Sequence, residues 1–317
     1  MALSRPRAIL TLDGRRLTSA EAALVRLRVL LTLGEHGPAE VVLWPSSKLA
    51  GAQPGSSLVI ALGNEGNEED VWTGEITGTA ASADAVALDG LEGTVALSRR
   101  RVSQAYLNQS VADIVRDLAG STAVDEVSGD TSLPAYFVDD RRSVWAHLLE
   151  LARFVDADLS ASPAGGLRFV PARTGTPDHR LRHGAEVLGW WTGTVSEPPA
   201  PAVAAYGAAS EAGAEQWHWI RRPSGAGGQA EQQFVAALRT KDAAEAMARS
   251  LANRAARATV RGRFRIVGRP SVRPGDLLAV TDLPTGDPGG LRVRSVEHVL
   301  DARQGFVTTL EVEGAGS

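Results

Sequence analysis

His179 and His183 stand four residues apart, the spacing that on a helix puts two imidazoles within reach of one metal ion. Arg180, Leu181 and Arg182 lie between them, no glutamate takes the metalloprotease position, and the stretch has no helical periodicity. The pair therefore reads as two ordinary surface histidines. The chain contains no cysteine, which removes thiolate zinc sites, iron–sulfur clusters, disulfides and a cysteine nucleophile. A serine presented on a strand-to-helix turn would show as Gly-x-Ser-x-Gly, and that pattern is missing. Asp139-Asp140 and Glu68-Glu69-Asp70 are chain neighbours in loops, whereas glycoside hydrolysis needs two carboxylates facing each other across a cleft. The glycine-rich run at 224–228 has the composition of a phosphate cradle, but neither a Lys-Ser/Thr ending nor a marked helix start follows it. The expectation is a protein with no catalytic, metal-binding or cofactor-binding residues, and so no enzyme.

Two other groups of residues suit contact rather than catalysis. The sequence holds seven tryptophans against six phenylalanines and three tyrosines, an unusual ratio, with clusters at Trp190-Trp191 and at Trp217-His218-Trp219. On a strand, Trp217 and Trp219 share a face, where they could pack in a core, anchor a subunit interface or form a platform for a sugar ring. Between 254 and 273 there are seven arginines and no acidic residue. Arg261, Arg263 and Arg265 alternate with Gly262, Phe264 and Ile266 in a strict period of two, so a strand would carry all three guanidinium groups on one face. Such a face is either solvated or opposed to an acidic surface, a neighbouring subunit first among them. No aromatic residues interleave to stack bases, and a net charge of −4 argues against general nucleic-acid binding.

The elements that must position these residues are mostly strands. Short apolar runs from Ala8 to Leu97 are separated by Gly, Pro, Asn and Asp at about ten-residue spacing, the pattern of a small barrel or sandwich; the last of these runs is Thr94-Val95-Ala96-Leu97. The period then changes. Ser110 precedes Val111, Ile114, Val115 and Leu118, and Gly120 closes the pattern, so a short amphipathic helix is marked at both ends. A second helix starts at Ser143 and ends around 154–156, followed by a hairpin over 157–170. A third, alanine-rich helix runs from Thr240 to about 258. Strands return at 260–266, 277–280, 291–298 and 305–312, with a turn at Pro274-Gly275-Asp276 where Gly275 should take a positive φ. The fold class expected is α+β, β-dominated, with two small tube-like β-barrel domains and an inserted α+β domain. Boundaries fall at 1–98 for the first barrel and 99–175 for the α+β unit. The second barrel takes 176–317, with an irregular Trp-rich insert at about 186–235. The two barrels should superimpose, with no continuous sheet running across 1–98 and 260–317. The N-terminus lacks the apolar core of a signal peptide and no stretch is long and apolar enough to span a bilayer, so a soluble protein made in the cytoplasm is expected.

Four pieces in this order carry a family resemblance. Val71-Trp72-Thr73-Gly74-Glu75-Ile76-Thr77 is the first, and the helix around Leu107-Asn108-Gln109-Ser110-Val111 to Ala119 the second. The third is Trp145 with Leu148-Leu149-Glu150-Leu151-Ala152, trailed by Gly166-Leu167-Arg168-Phe169. The fourth is the ending Gly268-Arg269-Pro270, Pro274-Gly275-Asp276, Val293 to His298 and Thr308-Thr309-Leu310-Glu311. Together they resemble the baseplate hub proteins of contractile phage tails, which include the late control protein D and VgrG hub-portion proteins.

The resemblance implies a homotrimeric structural hub with a central lumen. In it, two barrels alternate around a ring that adapts a hexameric inner tube to a trimeric spike, within a virion or injection-system baseplate. Implied partners are further copies of the chain, the inner tube protein, a separate spike protein (no spike repeat precedes Ser317) and baseplate wedge components. No membrane anchor and no sequence-specific nucleic-acid binding are implied. The rivals weighed beside this are a carbohydrate-binding β protein and a tail-associated peptidoglycan hydrolase.

Overall fold

The computed structural model describes residues 5–195, 204–206, 208–209, 218–219 and 232–316. The first seven strands are β1 (Pro6–Leu12), β2 (Arg15–Thr18), β3 (Leu24–Thr32), β4 (Pro38–Leu43), β5 (Ser57–Asn64), β6 (Asn67–Ala81) and β7 (Val86–Glu92). Their alternation is the cause of their burial: in β3, Leu27, Val29 and Leu31 are buried while Arg26 is exposed. The expected strand at 94–97 is instead helix α1 (Val95–Arg99), in which Leu97 N–H bonds back to Thr94 O at 3.0 Å. Four residues are too few for periods of two and 3.6 to differ.

The middle of the chain forms β8 (Gln104–Ser110), α2 (Val111–Ala119), β9 (Val124–Val127), β10 (Ser132–Val138), α3 (Val144–Phe154), β11 (Ala157–Ala161) and β12 (Leu167–Pro171). Both helices start where the sequence marks them. Ser110 Oγ accepts from Asp113 N–H at 3.1 Å, and Ser143 Oγ accepts from Ala146 N–H at 3.3 Å. Gly120 ends α2 at φ 60°. The remaining elements are β13 (His179–Arg182), β14 (Val187–Thr194), β15 (Ala204–Tyr206), β16 (Ala208–Ala209), β17 (His218–Trp219), β18 (Gln232–Phe234), α4 (Lys241–Arg257), β19 (Val260–Val267), β20 (Leu277–Thr281), β21 (Leu291–Asp301) and β22 (Gly305–Gly314). Thr240 caps α4, its Oγ1 accepting from Ala243 N–H at 3.1 Å.

The architecture is β-dominated α+β. One sheet runs β14-β19-β22-β21-β3-β4-β7-β6-β5-β1-β2, with β20 also on β21 and β13 on β20. The pairing of β21 with β3, from Ser295↔Thr32 to Asp301↔Arg26, corrects the expectation that no continuous sheet would join the two β regions. Sequence periodicity assigns a face to each strand but leaves its partner open. One apolar core accordingly draws on both regions, with Trp72, Leu27 and Val41 beside Phe264, Leu291 and Leu310. A second core packs α2, α3 and β8–β12, and α4 adds Ala243, Ala244 and Met247 to it.

The two cores meet at a polar joint. Trp145 Nε1 donates to Gly34 O at 3.2 Å, and the His36 ring lies 4.2 Å from the Trp145 ring. His36 also bridges Thr94 Oγ1 at 3.0 Å and Ser98 Oγ at 2.6 Å, and its burial holds its pKa below the ordinary value. Nearby, Glu92 accepts from Gly37 N–H at 2.7 Å. A side chain at Gly37 would meet Leu30 O at 2.4 Å and the Glu92 carboxyl at 2.6 Å, so glycine alone fits. Burial pushes Glu92 up to about 8.

Two predictions follow from this packing. Glu92 binds its proton more tightly folded than unfolded, so stability should fall as pH rises from about 4.5 to about 8, by up to about 1.4 kcal/mol per pH unit. In urea titrations Glu92→Gln should remove that slope and be the more stable form at pH 8.5. Gly275 does take a positive φ, 95°, and a side chain there would stand 3.2 Å from Asp158 Oδ2. Gly275→Val should cost about 1–3 kcal/mol, read as a lower melting temperature; an unchanged value would remove the argument from φ.

Candidate interface on the sheet face

Strand β19 lies between β14 and β22, and its alternation is realised in three dimensions. Gly262, Phe264 and Ile266 are buried, while Arg261, Arg263 and Arg265 are exposed. Each arginine has a defined cross-strand neighbour. Arg263 sits in a row with Trp191 of β14, Glu311 of β22, Ser295 of β21 and Thr32 of β3. Arg265 opposes Thr309, and Arg261 opposes Glu313. The face is therefore of mixed sign rather than purely basic.

Part of that charge is matched within the chain. Glu297 lies 3.7 Å from Arg263 Nη2 and 2.5 Å from Arg28 Nε, and Arg265 Nη2 donates to Gln304 Oε1 at 2.7 Å. Arg261 has no ion-pair partner among the described residues. Arg28, Arg261, Arg263 and Glu297 line an open groove of about 630 Å³, together with Trp191, half exposed, Glu35 and Arg294; Arg265 lies outside it. Aromatic, arginine and carboxylate groups around a groove suit a protein surface of complementary charge.

The other four arginines of the run 254–273 do not join this face. The chain passes from α4 to β19 and then through the 270–275 turn, and each change of direction re-aims the side chains. Arg254 donates to Ala152 O at 3.1 Å and Ala157 O at 2.7 Å. Arg257, almost wholly buried, pairs with Asp156 and lies 3.7 Å from Glu313. Arg273 donates to Pro270 O, to Val272 O at 3.1 Å and to Asp70 O at 3.0 Å. The Arg269 backbone N–H donates to Thr308 Oγ1 at 2.9 Å.

The sequence missed the ionic chain these residues enter. Arg292, buried to 2% exposure, bonds Asp158 and also Glu313, the latter at 2.7 Å, and Arg257 continues the chain to Asp156. Arg292 and Arg294 read as one exposed face from their spacing. Both side chains reach Glu313, but Arg294 stays exposed while Arg292 is covered by the α+β unit, whose Asp158 it bonds. Only the positive φ of Asp156, 51°, marks the corner, and no sequence pattern announces it.

The remaining candidates fall as follows. His179 is buried, not superficial, with Nε2 2.9 Å from Asp276 Oδ2. His183 lies edge-on to Trp190 at 6.3 Å. The two stand on and just after strand β13, and among the described residues no group of three His, Cys, Asp or Glu side chains is placed to hold a metal. His298 is wholly buried beside Thr308 Oγ1 at 2.9 Å; burial and then the charge of Arg273 push its pKa down to about 3, so it is neutral. Trp217 lies outside the described residues. Trp219 belongs to β17, whose backbone pairs Trp219 with Ala208. Among the described residues no helix is long and apolar enough to cross a membrane.

No family model matches the chain, and no curated protein matches it in sequence. Solved structures do. A tail protein from Neisseria meningitidis MC58 superposes with a TM-score of 0.73 at 14% identity, over 98% of this chain and 96% of that one. The 43 kDa tail protein of prophage MuSo2 from Shewanella oneidensis gives 0.68 at 12% identity, over 96% and 97%. An E. coli component of the type VI secretion system, described as similar to T4 bacteriophage tail proteins, gives 0.60 at 13% identity over 91% and 73%. At these identities the likeness establishes the fold: this chain has the fold of phage tail proteins.

Replacing Arg261, Arg263 and Arg265 together by glutamate should leave the chain folded. Like charges would then oppose Glu313 and approach Glu297, at about 0.2–1 kcal/mol each for exposed cross-strand pairs. Circular dichroism should show an unchanged strand signal with a modestly lower melting temperature.

Proposed function

We propose that this chain is the structural hub of a contractile tail or contractile injection system, a homotrimer that adapts a hexameric inner tube to a trimeric spike around a central lumen. The observation that carries the proposal is the end-to-end agreement in fold with phage tail proteins. The role is assembly, not catalysis. Its division into 1–98, 99–175 and 176–317 belongs to the same proposal, as do the inner tube, spike and wedge partners and synthesis as a soluble chain before incorporation into a particle.

The mixed-sign face of β19, with the groove that Arg261 and Arg263 line, supports an interface role for Arg261, Arg263 and Arg265. Permanent subunit contacts bury about 2,000 Å² or more, and charges at their margins set register between subunits. Arg263 and Arg265 already have partners in their own chain, so Arg261 is the residue with most to gain from a carboxylate on a neighbour.

Light scattering with size-exclusion chromatography tests the proposal. The chain should have the mass of a trimer, and the Arg261, Arg263 and Arg265 charge-reversal protein should lose mass or fail to dock on the inner tube while remaining folded. A monomer at all concentrations, with or without tube protein, would overturn the hub assignment. A reversal protein that assembles normally at low and high salt would overturn the role of this face.

A further inference from the structure

Where the sheet meets the α+β unit, a second cavity of about 440 Å³ opens between the end of β3, α3, β11, the C-terminal turn of α4 and β21. Its wall carries five arginines: Arg153, Arg254, Arg257, Arg292 and Arg294. Asp158 and Glu313 also line it, and Asp156 stands behind Arg254 and Arg257. Five cations against three carboxylates leave two positive charges in excess.

The distribution of the groups matters more than the count. Arg257 and Arg292 are buried, at 4% and 2% side-chain exposure, and form the inner wall. Arg153 and Arg294 are exposed. The Nη groups of Arg292 are taken up by Asp158 and Glu313, but its Nε–H is buried with no acceptor, and Arg254 Nε likewise lacks a hydrogen bond. A buried N–H left without an acceptor costs about 1–3 kcal/mol, so native proteins rarely keep one. An oxyanion in the cavity would supply acceptors for guanidinium donors and cancel the excess charge, and arginine forks match its geometry.

We infer that this cavity binds a small dianionic oxyanion of the phosphate class, held by Arg292 and Arg254 inside and by Arg153 and Arg294 at the mouth. The site does not depend on the hub assignment. It lies against α3, β11, α4 and β21 at once, so an occupant ties the α+β unit to the closing strands and stabilises their joint by mass action.

Thermal unfolding of the full chain tests this. Inorganic phosphate should raise the melting temperature saturably in the millimolar range at constant ionic strength, well beyond the effect of chloride. In the Arg153→Ser, Arg294→Ser double variant, where both side chains are exposed, the fold should persist and the shift should fall by more than half. Adenosine monophosphate distinguishes the source: a shift at lower concentration than inorganic phosphate assigns a phosphate ester, an equal or weaker one the free ion. No shift beyond that of chloride, or an equal shift in the double variant, would overturn the site. Isothermal titration with phosphate gives a second readout, and absence of saturable heat in the parent chain would overturn it independently.

Discussion

The ladder between β3 and β21 is the constraint on which the molecule rests. It joins side chains as far apart as Arg28 and Glu297, 269 positions distant in sequence, into one ion pair. With it, the strands at each end of the chain become a single sheet and share one apolar core. Without it, Leu27, Val29 and Leu31 would lose the neighbours Val296 and Leu300 supply, and each β region would present an open edge. Such pairing closes a very long loop before its contacts form, so folding of this chain should be dominated by that step.

The ionic chain from Asp156 through Arg257, Glu313 and Arg292 to Asp158 performs a different task. Burying charges costs several kcal/mol per ion, and the mutual attraction offsets this only when geometry and hydrogen bonds are complete. Little net stability is therefore expected from it. What it does is fix direction: Asp156 and Asp158 flank the start of β11, Arg257 ends α4, and Arg292 and Glu313 lie in adjacent strands of the sheet. A shift of any one element would strand a buried charge. The same logic explains why Gly275 sits where Asp158 comes close, since a side chain there would press on the carboxylate that Arg292 needs.

Charge on the outer sheet face follows the opposite rule. Arg261, Arg263 and Arg265 remain in water in the isolated chain, so their intramolecular pairs contribute little to stability. On the proposed hub reading, their value lies in what they can meet. A face that alternates arginine and glutamate accepts a partner of matching pattern and rejects a displaced one, which is the property a subunit contact in a ring requires.

Much of this was legible in the residues themselves. The helices α2, α3 and α4 begin at the capping Ser110, Ser143 and Thr240, and β19 alternates so strictly that its faces could be assigned unaided. Local rules suffice for the caps and for β19, because a cap or a strict two-residue period is satisfied by neighbours in the chain. The outward direction of Arg261, Arg263 and Arg265 and the turn at Gly275 are of this kind. The partnering of β3 with β21, the burial of Arg292 under Asp158 and the burial of His179 against Asp276 are not. Each depends on which distant segment lies alongside, and in the case of Arg292 on the α+β unit that brings Asp158 over it. Alternation tells which side chains must leave water; only the tertiary structure decides what they meet when they do.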